Sequence, residues 1–305
     1  MISFRPGDYI SINLSRVALY EFHPFTISSA PEDSEFLTVH MQAVGNWTRS
    51  VYHRFKTMSE TDIERCHVRV YRADLHGEAD DDETISSKLK RREPVFISGP
   101  YSSCARYVFD CKHVVLIGGG IGITPYASIL SSLMAQFRAS RTVCSHCQGI
   151  NYNAKSLLAN RRLRKVDFIW VNRDQKNFEW FLNLLRQFEQ EQDDYLASNA
   201  DEKRFLDIHL YFTEIKHDQN IGNVPLDLIS KVWAQVAGQD IFTSLKSMTH
   251  IGRPKWDELF GRLVSDDNAS TANDVDVFFC GPRAMSQTIR NYCATYRFRY
   301  YEEKF

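Results

Sequence analysis

The sequence predicts a two-domain β plus α/β protein, with a small antiparallel β-barrel or sandwich ahead of a parallel-sheet domain. Three observations predict it. From Ile10 to about Val70 the chain runs in short alternating stretches such as YISINL and FLTVHMQAV, punctuated by Pro and Gly. After residue 112 it changes to buried apolar runs alternating with amphipathic ones. And 305 residues, 43% hydrophobic and 25% charged, are ordinary globular material for two domains. The expected division is residues 1–108 and 109–305.

The bulk numbers also exclude classes. A net charge of −1 argues against a general nucleic-acid binder, which needs a basic face. No apolar run reaches the roughly 18 residues of a membrane span. The opening MISFRPGDYI has no basic stretch followed by a long apolar one, so it does not read as a signal peptide. Seven scattered cysteines fit a reducing, cytosolic compartment better than a disulfide framework.

In the first domain, EFHPFTISSAP (Glu21–Pro31) sets Thr26, Ser28 and Ser29 around an apolar core of Phe25 and Ile27. As structure this is a short strand with a polar edge, stopped by Pro31. As chemistry it suits a flat aromatic ligand, with Phe25 offering a stacking face and the hydroxyls offering donors. Gly45-Asn-Trp-Thr48 before SVYHRF is either a routine turn or a helix start able to hold a phosphate. Residues 78–92, EADDDETISSKLKRR, pass from acidic to basic and read as a solvated loop, with a docking segment as the minority reading.

In the second domain HVVLI is a buried strand that runs into Gly118, Gly119, Gly120 and Gly122 before Thr124-Pro125 opens the helix PYASILSSLMAQF. Glycines let backbone approach a pyrophosphate, a helix N-terminus supplies amide donors, and proline suits the first turn. Ile123 stands where the usual dinucleotide fingerprint has its third glycine, so this is a variant loop. FIWV is the second strand. A helix follows whose stripe is Phe178, Phe181, Leu182, Leu185 and Phe188. At the strand's end, Arg173 is either a surface arginine beside an acid or the partner of a 2′-phosphate, which favours NADPH over NADH. IHLYF and VDVFFC are the third and fourth strands, with a helix from about Arg283 to Cys293. Cys280-Gly281-Pro282 is a second strand-end loop, whose thiol either packs structurally or sits beside a ring without blocking it. Cys144-Ser-His-Cys147 has metal-like or redox-like spacing. A structural zinc needs four ligands, and only Cys66, Cys111 and His146 offer more, so the pair reads as unpaired thiols and no metal is expected.

Taken in order, HPFTISSAPE, VGNWT, GIGITPYASIL, VDFIWVNRDQKNFEWF, GRPKW, FFCGP and an aromatic-rich end closing on Phe305 resemble the ferredoxin–NADP reductase superfamily. Within it they resemble the cytosolic dehydrogenase region of NADPH oxidases, most of all the calcium-regulated branch. The resemblance implies an FAD-binding partial barrel followed by an NADPH-binding domain. It implies FAD near His23, Pro24, Phe25, Thr26 and Ser28, and near His40, Gly45, Trp47 and Thr48 at its pyrophosphate. It implies NADPH at Gly118, Gly119, Gly120, Gly122, Thr124 and Pro125, with Arg173 and Arg253 on the 2′-phosphate. Cys280, followed by Gly281 and Pro282, and Phe305 would border the reacting rings as catalytic residues.

By the same resemblance hydride passes from NADPH to FAD, and single electrons then move toward haem and oxygen, giving superoxide. Haem belongs to a membrane domain outside this chain, and a calcium-binding regulatory domain is a further implied partner. The chain would then sit at the cytosolic face of a membrane. There are two departures from the pattern. Gln42 in His40-Met-Gln42 stands where the family often has arginine, and the chain opens at a strand the family's barrel precedes with about two others, which reads as an incomplete barrel. The rival readings are a ferric or cupric metalloreductase region and a reductase-like module without catalysis.

Overall fold

A computed structural model of the chain describes residues 3–33, 36–56, 94–147, 150–152, 162–173, 179–199, 202–213, 236–240, 242–265 and 271–304. Cys66, the 78–92 charge run, Phe178 and Phe305 lie outside the described residues.

The first domain is built on three antiparallel strands, β1 (Tyr9–Leu14), β2 (His23–Thr26) and β3 (Val95–Tyr101), in the order β2-β1-β3. Alternation in β1 puts Ile10, Ile12 and Leu14 on the face that packs against Ile27 and against Trp47 and Val51 of helix α1 (Asn46–Lys56). Gly45 precedes α1, and the Thr48 hydroxyl accepts the Gly45 N–H at 3.0 Å, closing the helix start that GNWT predicts. The stretch FLTVHMQAV departs from expectation, because only Val39 pairs, as a single bridge to Ile27. Side-chain hydroxyls supplement that pairing: the Thr38 carbonyl accepts both the Ser28 N–H at 2.8 Å and the Ser28 hydroxyl at 3.0 Å, and Ser29 Oγ accepts the Thr38 N–H at 3.1 Å.

The second domain holds a six-stranded sheet whose neighbouring pairs are all parallel. Its strands are β4 (His113–Gly119), β7 (Lys165–Asn172), β8 (Leu206–Phe212), β9 (Thr249–Ile251), β10 (Val275–Cys280) and β11 (Arg299–Glu303), ordered β11-β10-β4-β7-β8-β9. Every residue of β4 and β10 is buried, as a strand covered on both faces requires. The period of two divides the core. Val114, Leu116, Phe168, Trp170 and Phe278 meet helices α2 (Thr124–Ala139) and α3 (Glu179–Ser198) on one face. Val115, Ile117, Ile169, Val277 and Phe279 meet α4 (Trp256–Leu263) and α5 (Arg283–Tyr296) on the other. Each such fully buried apolar side chain contributes on the order of 1.5–3 kcal/mol.

A short antiparallel hairpin, β5 (Arg141–Val143) and β6 (Ile150–Tyr152), follows α2. At the amino ends of the central strands, buried Asp167 accepts hydrogen bonds from His113 Nε2 at 2.7 Å and His209 Nε2 at 3.2 Å. Burial alone would raise this carboxyl, but the two imidazole bonds more than offset it and hold it below the usual carboxylate range. No helix of the described residues is long and apolar enough to cross a membrane.

Candidate functional site

The carboxyl ends of β4 and β10 open into a cleft of about 1110 Å³ whose far wall is the first domain. Pro24, Phe25 and Thr26 of β2, with His40 and Gln42, form that wall. The floor is Gly119, Gly120, Ile121 and Gly122, Thr124 at the start of α2, and the Cys280–Arg283 loop. Ser286, Gln287 and Arg290 of α5 and the terminal Glu302–Lys304 form the rim. Three contacts hold the walls in register: the Ser128 hydroxyl of α2 donates to the Ser29 carbonyl at 2.7 Å, and the Ser132 hydroxyl and the Gln136 amide both donate to Glu32 Oε1 at 2.8 Å.

The floor is made almost without side chains, for reasons that differ along the loop. Register partners Gly118 and Cys280 end β4 and β10 side by side. A Cβ on Gly122 would fall 2.3 Å from the Cys280 carbonyl oxygen, and one on Gly119 would fall 2.6 Å from Pro282 Cδ. A Cβ on Gly281 would meet the Gly119 Cα and N at 3.0 Å. These three glycines are therefore demanded by loop-on-loop packing. Gly120 differs: its φ is +58°, and nothing stands within 4 Å of where its Cβ would be. There bare backbone faces open space. The helix beyond it, α2, has no side chain capping its first turn, and Pro125 lies in that turn. A 3-10 turn, Gly120–Ile123, leads straight into α2, and the Thr124 N–H donates to the Ile121 carbonyl, so what this helix start offers an anion is its dipole.

On the opposite wall the Phe25 ring stacks on Trp47 with centroids 5.9 Å apart, and His23 lies against the same indole at 4.3 Å. Trp47 is buried and its Nε1–H has no partner. Ser28 Oγ and His40 Nδ1 lie 2.7 Å apart, and burial pushes the His40 imidazole below its ordinary value. His40 is thus a neutral hydrogen-bonding ring at pH 7, not a fixed positive charge. His23, Ser28, Gly45, Trp47 and Thr48 stand behind the wall and do not line the cleft.

Cys280 lines the cleft while only 5% exposed, with its thiol pushed up to about 12 by burial and by the Glu303 carboxylate. The Glu303 carboxylate accepts both the Cys104 backbone N–H at 3.1 Å and the Cys104 thiol at 2.8 Å. Burial, and then Glu303, push the Cys104 thiol far up as well. Both thiols stay neutral at physiological pH. Sequence reasoning missed Glu303, Ser286, Arg283 and Arg290, because only the fold brings the terminal strand and α5 to this rim. The one available signal was the end position of β11 beside β10.

Arg173 follows β7 and Arg253 follows β9, so both reach the carboxyl edge of the sheet with β8 between them. Both are exposed, and neither lines the main cleft.

The ferric reductase NAD binding domain family matches residues 111–294, and an FAD-binding domain family matches residues 1–105. Human NADPH oxidase 5 is 35% identical over 99% of this chain, which spans 39% of that protein. NADPH oxidase 1 of Mus musculus is 32% identical over 96% of this chain and 39% of its own length. The chain thus spans less than half the length of these relatives. A Malassezia yamatoensis flavohemoglobin structure aligns over 99% of this chain and 52% of its own, at 15% identity and a TM-score of 0.48. With three antiparallel strands ahead of a six-stranded parallel sheet, and both domain families matched in that order, this chain belongs to the ferric reductase NAD binding domain family and carries an FAD-binding domain in front of it.

Proposed function

We propose that this chain is the dehydrogenase module of a superoxide-generating NADPH oxidase, moving reducing equivalents from NADPH to FAD. One observation carries the reading: a single cleft joins the aromatic edge of the first domain to the glycine floor and Cys280 of the second. Its volume is at the upper end for small-molecule sites, leaving space for two flat rings. The residues fit both groups. Open backbone at Gly120 and the dipole at the start of α2 suit a dinucleotide phosphate, and Arg283 and Lys304 put cations on the same rim, where Arg290 is paired with Glu302 at 2.6 Å. The Phe25 face, Thr26 and neutral His40 suit a flavin with polar ring edges.

In this reading residues 1–108 bind FAD and 109–305 bind NADPH. His23, Pro24, Phe25, Thr26, Ser28, His40, Gly45, Trp47 and Thr48 would hold FAD, those behind the wall by fixing the ones that line it. Gly118, Gly119, Gly120, Gly122, Thr124, Pro125, Gly281 and Pro282 would hold NADPH, and Arg173 and Arg253 its 2′-phosphate. When bound, FAD supplies a two-electron acceptor that can release electrons singly. The protein's part is position and water exclusion. Cys280 presents a small, uncharged group at the floor, so it neither blocks a ring nor repels a hydride. Phe305, outside the described residues, would cover the flavin face.

In the whole protein the electrons would pass to a membrane haem domain and then to oxygen, with this module at the cytosolic face and a calcium-binding domain regulating it. The name of the matched family favours a second reading, a metal reductase module. The test is to titrate the purified chain with FAD by fluorescence, then follow NADPH-dependent ferricyanide reduction. Saturable FAD binding and dye reduction that requires both FAD and NADPH are expected. No FAD binding at tens of micromolar, or dye reduction without FAD, would overturn the proposal. Ferric chelate reduced as fast as ferricyanide by the full-length protein, with no superoxide, would select the second reading.

A further inference from the structure

We infer that Cys144 and Cys147, which close the β5–β6 hairpin, form a reversible dithiol–disulfide site whose oxidant is hydrogen peroxide. The hairpin fixes the geometry. Arg141, Thr142 and Val143 pair with Tyr152, Asn151 and Ile150, so Cys144 leaves the ladder directly after its last paired residue. Ser145–Cys147 then form a turn. A turn of this span brings residues i and i+3 within about 7 Å at Cα, overlapping the separations that disulfides bridge. Both thiols are exposed and both are free. The backbone N–H of Cys147, then that of His146, and then the Cys147 thiol lower the Cys144 thiol below its ordinary value, which favours its thiolate.

The other described cysteines are free as well, but none of them is exposed. Cys111, Cys280 and Cys293 are buried, and burial pushes each up to about 12. Cys104 is held by Glu303. Among the described residues no group of three or more His, Cys, Asp or Glu could hold a metal ion, so the pair has no further ligands there to make a zinc site. The hairpin also stands clear of the cleft: it follows the carboxyl end of α2, whose 16 residues span roughly 24 Å from the glycine floor.

The chemistry balances with one peroxide. The Cys144 thiolate attacks a peroxide oxygen, the O–O bond breaks, and hydroxide leaves and takes up a proton. The Cys147 sulfur then attacks the sulfenic sulfur of Cys144, the S–O bond breaks, and water leaves. Two thiols and one hydrogen peroxide become one disulfide and two waters, the thiols losing two electrons and the peroxide gaining them.

The test treats the intact chain at neutral pH with stoichiometric hydrogen peroxide, then alkylates the remaining thiols and maps them by mass spectrometry. A Cys144–Cys147 disulfide that dithiothreitol reverses is expected. A thiol of ordinary acidity gains more than three decades of thiolate over one near 12 at pH 7, and its lower nucleophilicity takes back about half. Cys144 should therefore react roughly fiftyfold to a hundredfold faster than Cys280 or Cys293. Cys147→Ser should stop at a sulfenic acid on Cys144 that dimedone traps, whereas Cys147 in Cys144→Ser should be labelled more slowly. The inference is overturned if both thiols remain alkylatable after peroxide, if only chain-to-chain disulfides form, or if Cys147 alone reacts as fast as Cys144 alone.

Discussion

Adding one methyl group to the cleft floor gives different results at Gly122 and at Gly120. At Gly122 the new Cβ would lie 2.3 Å from the Cys280 carbonyl oxygen and 2.7 Å from its carbon. A close C···O contact is about 3.3 Å, so the floor and the end of β10 must part by about 1 Å. Neither side is a flexible side-chain tip: Gly122 is backbone of the 3-10 turn after β4, and the Cys280 carbonyl is backbone at the end of β10. Overpacking of this kind costs roughly 1–3 kcal/mol, and 1 kcal/mol lowers Tm by about 2–4 °C in a domain of this size. Gly122→Ala should therefore unfold about 4–10 °C earlier by circular dichroism, and Gly122→Asn earlier still. At Gly120 space is free and the cost is conformational, because φ is +58°. Ala there costs roughly 1–2 kcal/mol, and Asn, which tolerates the left-handed region, costs less. The order of Ala and Asn thus reverses between two positions two residues apart. A wild-type Tm for Gly122→Ala, or the same order of Ala and Asn at both sites, would refute the reasoning.

Arg173→Ala should raise the KM for NADPH about tenfold to a hundredfold, the loss of one charge-assisted contact to a phosphate, and leave NADH use and saturated turnover nearly unchanged; equal losses for both cofactors in steady-state kinetics would make Arg173 structural. Asp167 has a depressed folded-state value, so its contribution is complete above the unfolded value near 3.9 and fades as pH falls toward the folded one. Asp167→Asn should lower Tm at pH 7, by about 3 kcal/mol of stability for a broken buried network, and flatten the acid loss below pH 4; an unchanged acid limb in thermal scans contradicts this. Cys280→Ala should leave the pH profile of NADPH oxidation between pH 6 and 9 unchanged, since the thiol is already neutral there; loss of an inflection in that range would mean the thiolate takes part.

The strands that carry the site were legible because burial on both faces writes an unbroken apolar run, as in HVVLI and VDVFF. Short edge strands leave no such trace. THI and RYYEE are three and five residues long and half polar, and they join the sheet only because β8 and β10 offer them open edges. FLTVHMQAV shows the opposite failure: it alternates well, but it pairs only at one bridge, with the Ser28 N–H donating to the Thr38 carbonyl and the Thr38 N–H turned to the Ser29 hydroxyl. The glycine loop was legible from its strand-before, helix-after setting; what the sequence does not show is that Gly122 also packs against the Cys280 backbone and Gly119 against the Pro282 ring. The Glu303–Cys104 contact spans 199 residues, and no local pattern announces a contact of that range.

The two strand-end loops that interlock beneath the cleft have a consequence for how its selectivity can change. At Gly119 and Gly122 even a methyl group would force its neighbours to shift, and at Gly281 it would be tight, so this ground resists substitution. A change of preference must be written elsewhere, on Arg283, Gln287 and Lys304, whose side chains are exposed, whereas Arg290 on the same rim is tied to Glu302. The cleft thus divides into a part that keeps its shape under mutation and a part that is free to vary, and an attempt to redesign its ligand should begin with the second.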